Sequence, residues 1–134
     1  MTKIISDITQ RELYDELYCK GYRAPELWFG GNRTRLIVLT RMMKEEISSR
    51  RFPRILDIGC GNGIFSFKFA ERGGRVVGFD LSLTAIKKAK SNANHMQLPE
   101  TDFLIASAEN MPFRDCSFDI VFHSEVLEHV KRPK

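Results

Sequence analysis

The stretch Arg54-Ile55-Leu56-Asp57-Ile58-Gly59-Cys60-Gly61-Asn62-Gly63 decides how this chain is read. It opens as an apolar, partly β-branched run (Ile55, Leu56, Ile58) of the kind that forms a strand buried on both faces. Asp57 interrupts the run, and Gly59, Gly61 and Gly63 follow at alternate positions. Ile64 to Arg72 then reads as a helix. Strand, glycine loop and helix together bring bare backbone and a helix N-terminus against a ligand. Glycine suits such a loop because a Cβ there would occupy the ligand's space.

A glycine loop alone is a weak signal, so the next strand is decisive. Arg75-Val76-Val77-Gly78-Phe79-Asp80 is a second short apolar run ending in an acid. Asp80 lies 21 positions after Gly59, close to the roughly 20-residue offset of an acid that binds a ribose hydroxyl. Two acids thus stand at the ends of neighbouring strands, on one edge of a parallel sheet. The pair is far more specific than either half.

With these residues the sequence resembles the class I S-adenosylmethionine-dependent methyltransferases, particularly the group acting on small molecules. The resemblance covers about Arg54 to Val130 and rests on motifs in the family's order. Asp57 to Gly63 is similar to the family's acid-plus-GxGxG cofactor loop, and Val77-Gly78-Phe79-Asp80 to the strand whose acid holds the ribose. Ser107-Ala108-Glu109-Asn110-Met111-Pro112-Phe113 resembles the adenine-side loop. Phe118 to Phe122, followed by Glu125-Val126-Leu127-Glu128-His129-Val130, resembles the fourth strand and the helix after it. One position departs: the adenine loop often begins with Asp, and here Ser107 takes that place.

The resemblance implies an α/β, Rossmann-like fold with a parallel sheet of order 3-2-1-4 and flanking helices. Two regions are expected: an N-terminal helical segment or lid over 1–53 and the cofactor-binding core over 54–134. Length and composition suit one domain, and 43% hydrophobic residues can supply its core. No apolar stretch approaches the roughly 20 residues of a membrane span, and the polar start is no signal peptide. The cysteines Cys19, Cys60 and Cys116 form no CxxC pair, so neither a metal site nor a disulfide framework is expected. A reducing cytoplasm is the simplest compartment. The net charge of +4 is mild and argues little for nucleic acid.

In chain order, Ser6 to Lys20 can form a helix, and Gly21 to Gly31 is a break rich in glycine and aromatics. That break, with Trp28, is either a packed loop over the core or a lid on the ligand. Asn32 to Arg51 reads as a helix with Leu36, Leu39, Met43 and Ile47 on one side, stopped by Pro53. Arg33 and Arg35 at its start either meet the cofactor's carboxylate or are solvated. Arg50, Arg51 and Arg54 read as a solvated basic face. Gly73-Gly74 ends the first crossover helix, and Ser82 caps the next, with Ala85, Ile86 and Ala89 inward and Lys87, Lys88 and Lys90 outward. A third strand is expected over Asp102 to Ala106 and a fourth over Phe118 to Phe122.

For the cofactor, the resemblance implies roles residue by residue. Asp80 accepts the ribose hydroxyls, and Leu81 offers an apolar surface to one adenine face. With Ser107 in place of Asp, the backbone around Ala108 and Glu109 supplies donors to the ring edge. Gly59, Cys60, Gly61 and Gly63 line the loop, Cys60 as a small packing residue. Asp57 either attracts the cofactor's ammonium or braces the loop. A general base is needed only if the acceptor keeps its proton, and His123, Glu125 and His129 are the candidates.

The function expected is therefore S-adenosylmethionine-dependent methyl transfer to an unidentified, small-molecule acceptor. Three rival readings stand beside it. A nicotinamide dehydrogenase would carry its third glycine at position 64, which is Ile64. A cofactor-binding but inactive methyltransferase-like fragment or partner subunit is the second. An RNA-binding module would need basic residues interleaved with aromatics, and none are seen. The family usually adds strands after the fourth, whereas this chain ends at Lys134. The expectation is thus a shortened form lacking a complete acceptor pocket, its fourth strand an exposed edge open to pairing with a second copy.

Overall fold

The structure is a computed structural model, and it describes residues 31–124, with side chains from Ile37 onward. The expected first helix, the Trp28 segment, the side chains of Arg33 and Arg35, and Glu125, Glu128 and His129 lie outside the described residues. The elements run α1 (Gly31–Ser48), β1 (Arg54–Ile58), α2 (Ile64–Ala70), β2 (Arg75–Asp80), α3 (Leu83–His95), β3 (Thr101–Ile105) and β4 (Ile120–His123).

The strands form one sheet in the order β3-β2-β1-β4, every neighbouring pair parallel. Strands connected through helices can pair only this way, because a parallel pair needs a long crossover. In register, Ile55 stands beside Val76 and Ile120, Asp57 beside Gly78 and Phe122, and Gly78 beside Phe103. Alternation of side chains puts all of these on one face of the sheet. The three described helices pack on that face. Met43, Ile47 and Phe69 meet Ile55, Val76 and Phe122 in one buried cluster. Phe67, Ile86, Ala89 and Ala93 meet Cys60 and Phe103 in another.

Helix α2 joins the two clusters because of its alternating phenylalanines. Residues two apart on a helix point in nearly opposite directions. Phe67 therefore turns toward Phe103, with centroids 5.8 Å apart. Phe65 and Phe69 turn the other way and contact Phe122 at 5.0 and 4.9 Å. The helix closes where glycine was expected to end it. Gly73 adopts φ 92° and its N–H reaches Ala70 O, while the N–H of Gly74 reaches Phe69 O. That paired pattern satisfies the last carbonyls of the helix.

Several boundaries move from those expected. Helix α1 stops at Ser48 rather than Arg51, leaving a turn before Pro53, and α2 ends at Ala70 rather than Arg72. Strand β3 spans Thr101 to Ile105 rather than Asp102 to Ala106. Strand β4 spans Ile120 to His123 rather than Phe118 to Phe122. Phe118 is taken by Phe113, 5.1 Å away, which in turn packs on Phe79 of the second sheet face. Asp119 accepts the N–H of Arg54 on its carboxylate at 2.8 Å, which lowers its pKa. The N–H of Asp119 in turn donates to Arg54 O at 2.9 Å, so one main-chain bond and one side-chain bond join the two residues ahead of β4. The basic face is solvated as expected: Arg50 and Arg54 are exposed and meet Glu46 and Asp119 at 3.4 Å.

Candidate cofactor site

Parallel strands share a carboxyl edge, and here that edge carries the glycine loop, Asp80 to Ser82, the Ser107–Asn110 turn and His123. Strand β1 has β2 on one side and β4 on the other, so the strand order reverses at its carboxyl end. Such a switch point is where open α/β sheets bind ligands.

The loop after β1 is built on left-handed backbone: Gly59, Gly61 and Gly63 adopt φ 67°, 55° and 93°. Side chains rarely take this region, which explains the glycines more directly than ligand space does. The turn closes by Gly63 N–H to Cys60 O at 3.0 Å, and α2 starts from Gly63 without a side-chain cap. The N–H of Cys60 bonds Phe79 O at 2.9 Å. Its side chain is buried among Phe67, Ile86 and Phe103, leaving its main chain to the loop. Burial, then the charges of Asp57 and Asp80, raise its thiol pKa well above the ordinary value.

Asp80 is the node of the site. Its Oδ2 accepts the N–H of Gly61 at 3.0 Å, and its Oδ1 accepts the N–H of Ser82 at 2.9 Å. Ser82 is fully buried, and its hydroxyl accepts the N–H of Ala85 at 3.1 Å, capping α3 as expected. Leu81, half-buried, lies between these two anchors. The carbonyl of Asp80 accepts the N–H of Ala106 at 3.2 Å and so carries the next loop alongside. There Ser107 makes a tight turn: its carbonyl accepts from Asn110 at 3.1 Å and its hydroxyl from Glu109 at 3.2 Å. The serine hydroxyl thus stabilises its own turn and leaves half-buried Ala108 at the tip.

Asp57 lies beneath the loop, 2% exposed. The hydroxyl of Ser66 donates to its Oδ2 at 2.6 Å across the strand-to-helix connection. Burial dominates its titration and, with the nearby charge of Asp80, raises its pKa to about 7, while hydrogen bonds from Ser66 oppose the shift. His123 is exposed at the end of β4, in register with Ile58. The structure thus gathers every described candidate on one edge. Among the described residues, no cluster of His, Cys, Asp and Glu could hold a metal ion.

Sequence reasoning passed over Ser66, Gly78 and Asn62. Ser66 was legible only as a hydroxyl amid phenylalanines. Gly78 is buried where an added Cβ would stand 2.9 Å from the Phe103 ring and 3.0 Å from the Cys60 Cβ. Asn62 has a buried Oδ1 with no hydrogen-bond partner among the described residues. The edge thus joins the backbone of a left-handed glycine loop, the Asp80 carboxylate at the neighbouring strand end and the buried Asp57 below, a set that suits a polar, positively charged cofactor.

Comparison with known proteins agrees. A family model described as Methyltransferase domain matches residues 56–134. The ubiquinone biosynthesis O-methyltransferase of Rhodopseudomonas palustris is 43% identical over 77 residues, which are 58% of this chain and 30% of that protein. The mitochondrial ubiquinone biosynthesis O-methyltransferase of Schizosaccharomyces pombe is 35% identical over 116 residues, covering 80% of this chain and 42% of the relative. The crystal structure of magnesium protoporphyrin IX methyltransferase from Synechocystis with bound SAH superposes with a TM-score of 0.71. It covers 93% of this chain and 61% of that one at 18% identity, a likeness of fold alone. This chain belongs to the methyltransferase-domain family and has the class I, S-adenosylmethionine-dependent methyltransferase fold. It spans less than half the length of the two curated relatives.

Proposed function

We propose that this chain binds S-adenosylmethionine at the carboxyl edge of its sheet and serves methyl transfer to a small-molecule acceptor. One observation carries the reading: the Gly61 N–H on the Asp80 carboxylate at 3.0 Å, which joins the glycine loop and the ribose acid in one site. A carboxylate has about four lone-pair sites, so backbone donors and ribose hydroxyls fit on the same group. Leu81 lies along the adenine, and the Ser107-Ala108-Glu109 turn offers its main chain to the ring edge. The loop from Gly59 to Gly63 receives the methionine tail, and Asp57 holds a negative charge beneath its ammonium.

When bound, the cofactor supplies a methyl group already activated on a sulfonium. The chain's own work is to place an acceptor in line behind that methyl and to exclude water. The relatives named O-methyltransferases support an oxygen acceptor. A hydroxyl must then shed its proton, and His123, exposed at the end of β4, is the described candidate to take it. Glu125 and His129 are the other candidates. Of the 1–53 segment, the described helix α1 is anchored on the sheet face through Met43 and Ile47. Among the described residues no helix is long and apolar enough to cross a membrane. Free Cys60 and Cys116 suit a reducing compartment, and we place the chain in the cytoplasm. The outer edge of β4, which pairs with β1 on its other side, is the surface we assign to association with a second copy.

Thermal shift and calorimetry with S-adenosylhomocysteine against NAD test the reading. S-adenosylhomocysteine at 100 times its Kd should stabilise the fold by about 2.7 kcal/mol, with no effect of NAD. Stabilisation by NAD alone would overturn it. Light scattering at micromolar concentration tests the association, which a clean monomer dismisses.

A further inference from the structure

Ser66 has no place in the site as read from the sequence, yet it is 0% exposed and donates a 2.6 Å hydrogen bond to Asp57. A bond this short between a hydroxyl and a carboxylate is in the charge-assisted range. The charged and titratable groups that act on Asp57 are unfavourable to its ionisation. Asp80, at the end of β2, raises its pKa, and the Cys60 thiol in the loop is itself held protonated by burial first and then by both acids. From β2 and β4 its register neighbours are Gly78 and Phe122, which bring no charge. Ser66, from α2, is the group that opposes burial and favours the carboxylate.

We infer that Ser66 is a positioning residue for the cofactor's ammonium: its hydroxyl keeps Asp57 ionised beneath the glycine loop and so sets the pH range in which the cofactor binds. The inference rests on the proposed cofactor site. An ammonium is attracted to Asp57 only when that carboxyl has lost its proton, and the loss falls near neutrality. The Ser66 hydroxyl therefore tunes affinity without touching the ligand.

The test measures binding of S-adenosylhomocysteine by calorimetry between about pH 5.5 and 8.5. The native chain should bind more tightly as pH rises through neutrality. Ser66→Ala should move the midpoint upward by about one pH unit, making binding roughly fivefold weaker at pH 7 and about tenfold weaker well below it, with convergence at higher pH. Ser66→Thr, which keeps the hydroxyl, should restore the native midpoint, and Asp57→Asn should flatten the profile. An unchanged midpoint in Ser66→Ala overturns the inference. If Ser66→Ala does not fold, Ser66→Cys, a weaker donor, should shift the midpoint the same way by less, and no shift counts against the inference. Titration of the Asp57 carboxyl carbon by NMR in the free protein separates the two readings. If the native chain fails to bind S-adenosylhomocysteine at every pH, the cofactor reading fails. If Asp57 titrates identically with and without the Ser66 hydroxyl, the role of Ser66 fails.

Discussion

The N–H of Gly61 donates to Asp80 Oδ2 at 3.0 Å, tying the tip of the loop after β1 to the acid that ends β2. The bond spans 19 residues of sequence but only one strand spacing, because β1 and β2 pair in parallel with Ile58 beside Phe79. Gly61 can present its N–H there only from left-handed backbone, φ 55°. The loop that would hold one end of the cofactor and the acid that would hold its middle therefore take their places together. Binding then has less to order, which is where preorganisation gains affinity.

Asp80→Ala should accordingly weaken S-adenosylhomocysteine binding by about 2 kcal/mol or more, the scale of a lost hydrogen bond to a charged group. Part of that loss comes from the loop, which forfeits its anchor at Gly61. Asp80→Asn separates the parts, since its single oxygen can still accept one backbone N–H while the charge is gone. Calorimetry showing unchanged affinity in both variants would remove Asp80 from the site.

Asp57 gives a pH signature in the free protein. Its folded pKa of about 7 exceeds the ordinary 3.8, so the folded state binds the proton more tightly. Stability from this group is present at low pH and is lost as pH rises between those values, levelling beyond the upper one. Asp57→Asn removes the burial cost of the charge. The variant should be more stable than the native chain at pH 8, by on the order of a few kcal/mol, and bind S-adenosylhomocysteine more weakly. Urea unfolding at pH 5 and pH 8 checks the sign, and a variant less stable at the higher pH would refute it.

The parts of the fold that sequence made legible are those fixed by local chemistry. Strand β2 falls on Arg75–Asp80 as expected because its apolar run has a glycine pair before it and an acid at its end. The Ser82 cap is legible because a serine before an apolar-periodic run has a local partner in Ala85 N–H. The start of β4 is not legible, because an apolar Phe118 looks like strand and only the folded chain reveals Phe113 beside it. Asp57 left two roles open, since its partner Ser66 becomes visible only once strand and helix are folded against each other. The same holds for Gly78, whose reason is a ring brought from β3.

Gly63 is a conformational requirement more than a ligand contact. At φ 93° an added Cβ would stand 2.7 Å from the Phe67 ring. Gly63→Ala should cost about 1–3 kcal/mol, from strain and displaced packing together. Gly61→Val should abolish S-adenosylhomocysteine binding and should also lower stability, because a β-branched residue is poorly tolerated at φ 55°. Chemical denaturation beside calorimetry resolves the two effects, and normal binding by Gly61→Val would put the ligand elsewhere.

Gly78 couples the core to the site. It is buried in the middle of β2, facing the same way as Asp57 and Phe103. A methyl group there would press on the Phe103 ring at 2.9 Å and on the Cys60 Cβ at 3.0 Å. Neither neighbour gives easily. The ring is held edge-on by Phe67, and Cys60 is held by its N–H bond to Phe79 O. Gly78→Ala should therefore destabilise the fold by about 1–3 kcal/mol, the usual cost of overpacking. Because Cys60 lies between Gly59 and Gly61, relief of the clash through Cys60 would pull the Gly61 N–H away from Asp80, and affinity for S-adenosylhomocysteine should fall as well. Phe69→Ala, in the other cluster, is the control: it should cost about 3–5 kcal/mol yet leave the affinity of the remaining folded protein nearly unchanged. Urea titration and calorimetry on both variants decide the matter. Equal loss of affinity in the two would mean that binding follows global stability, and native stability in Gly78→Ala would mean that the Phe103 pocket yields.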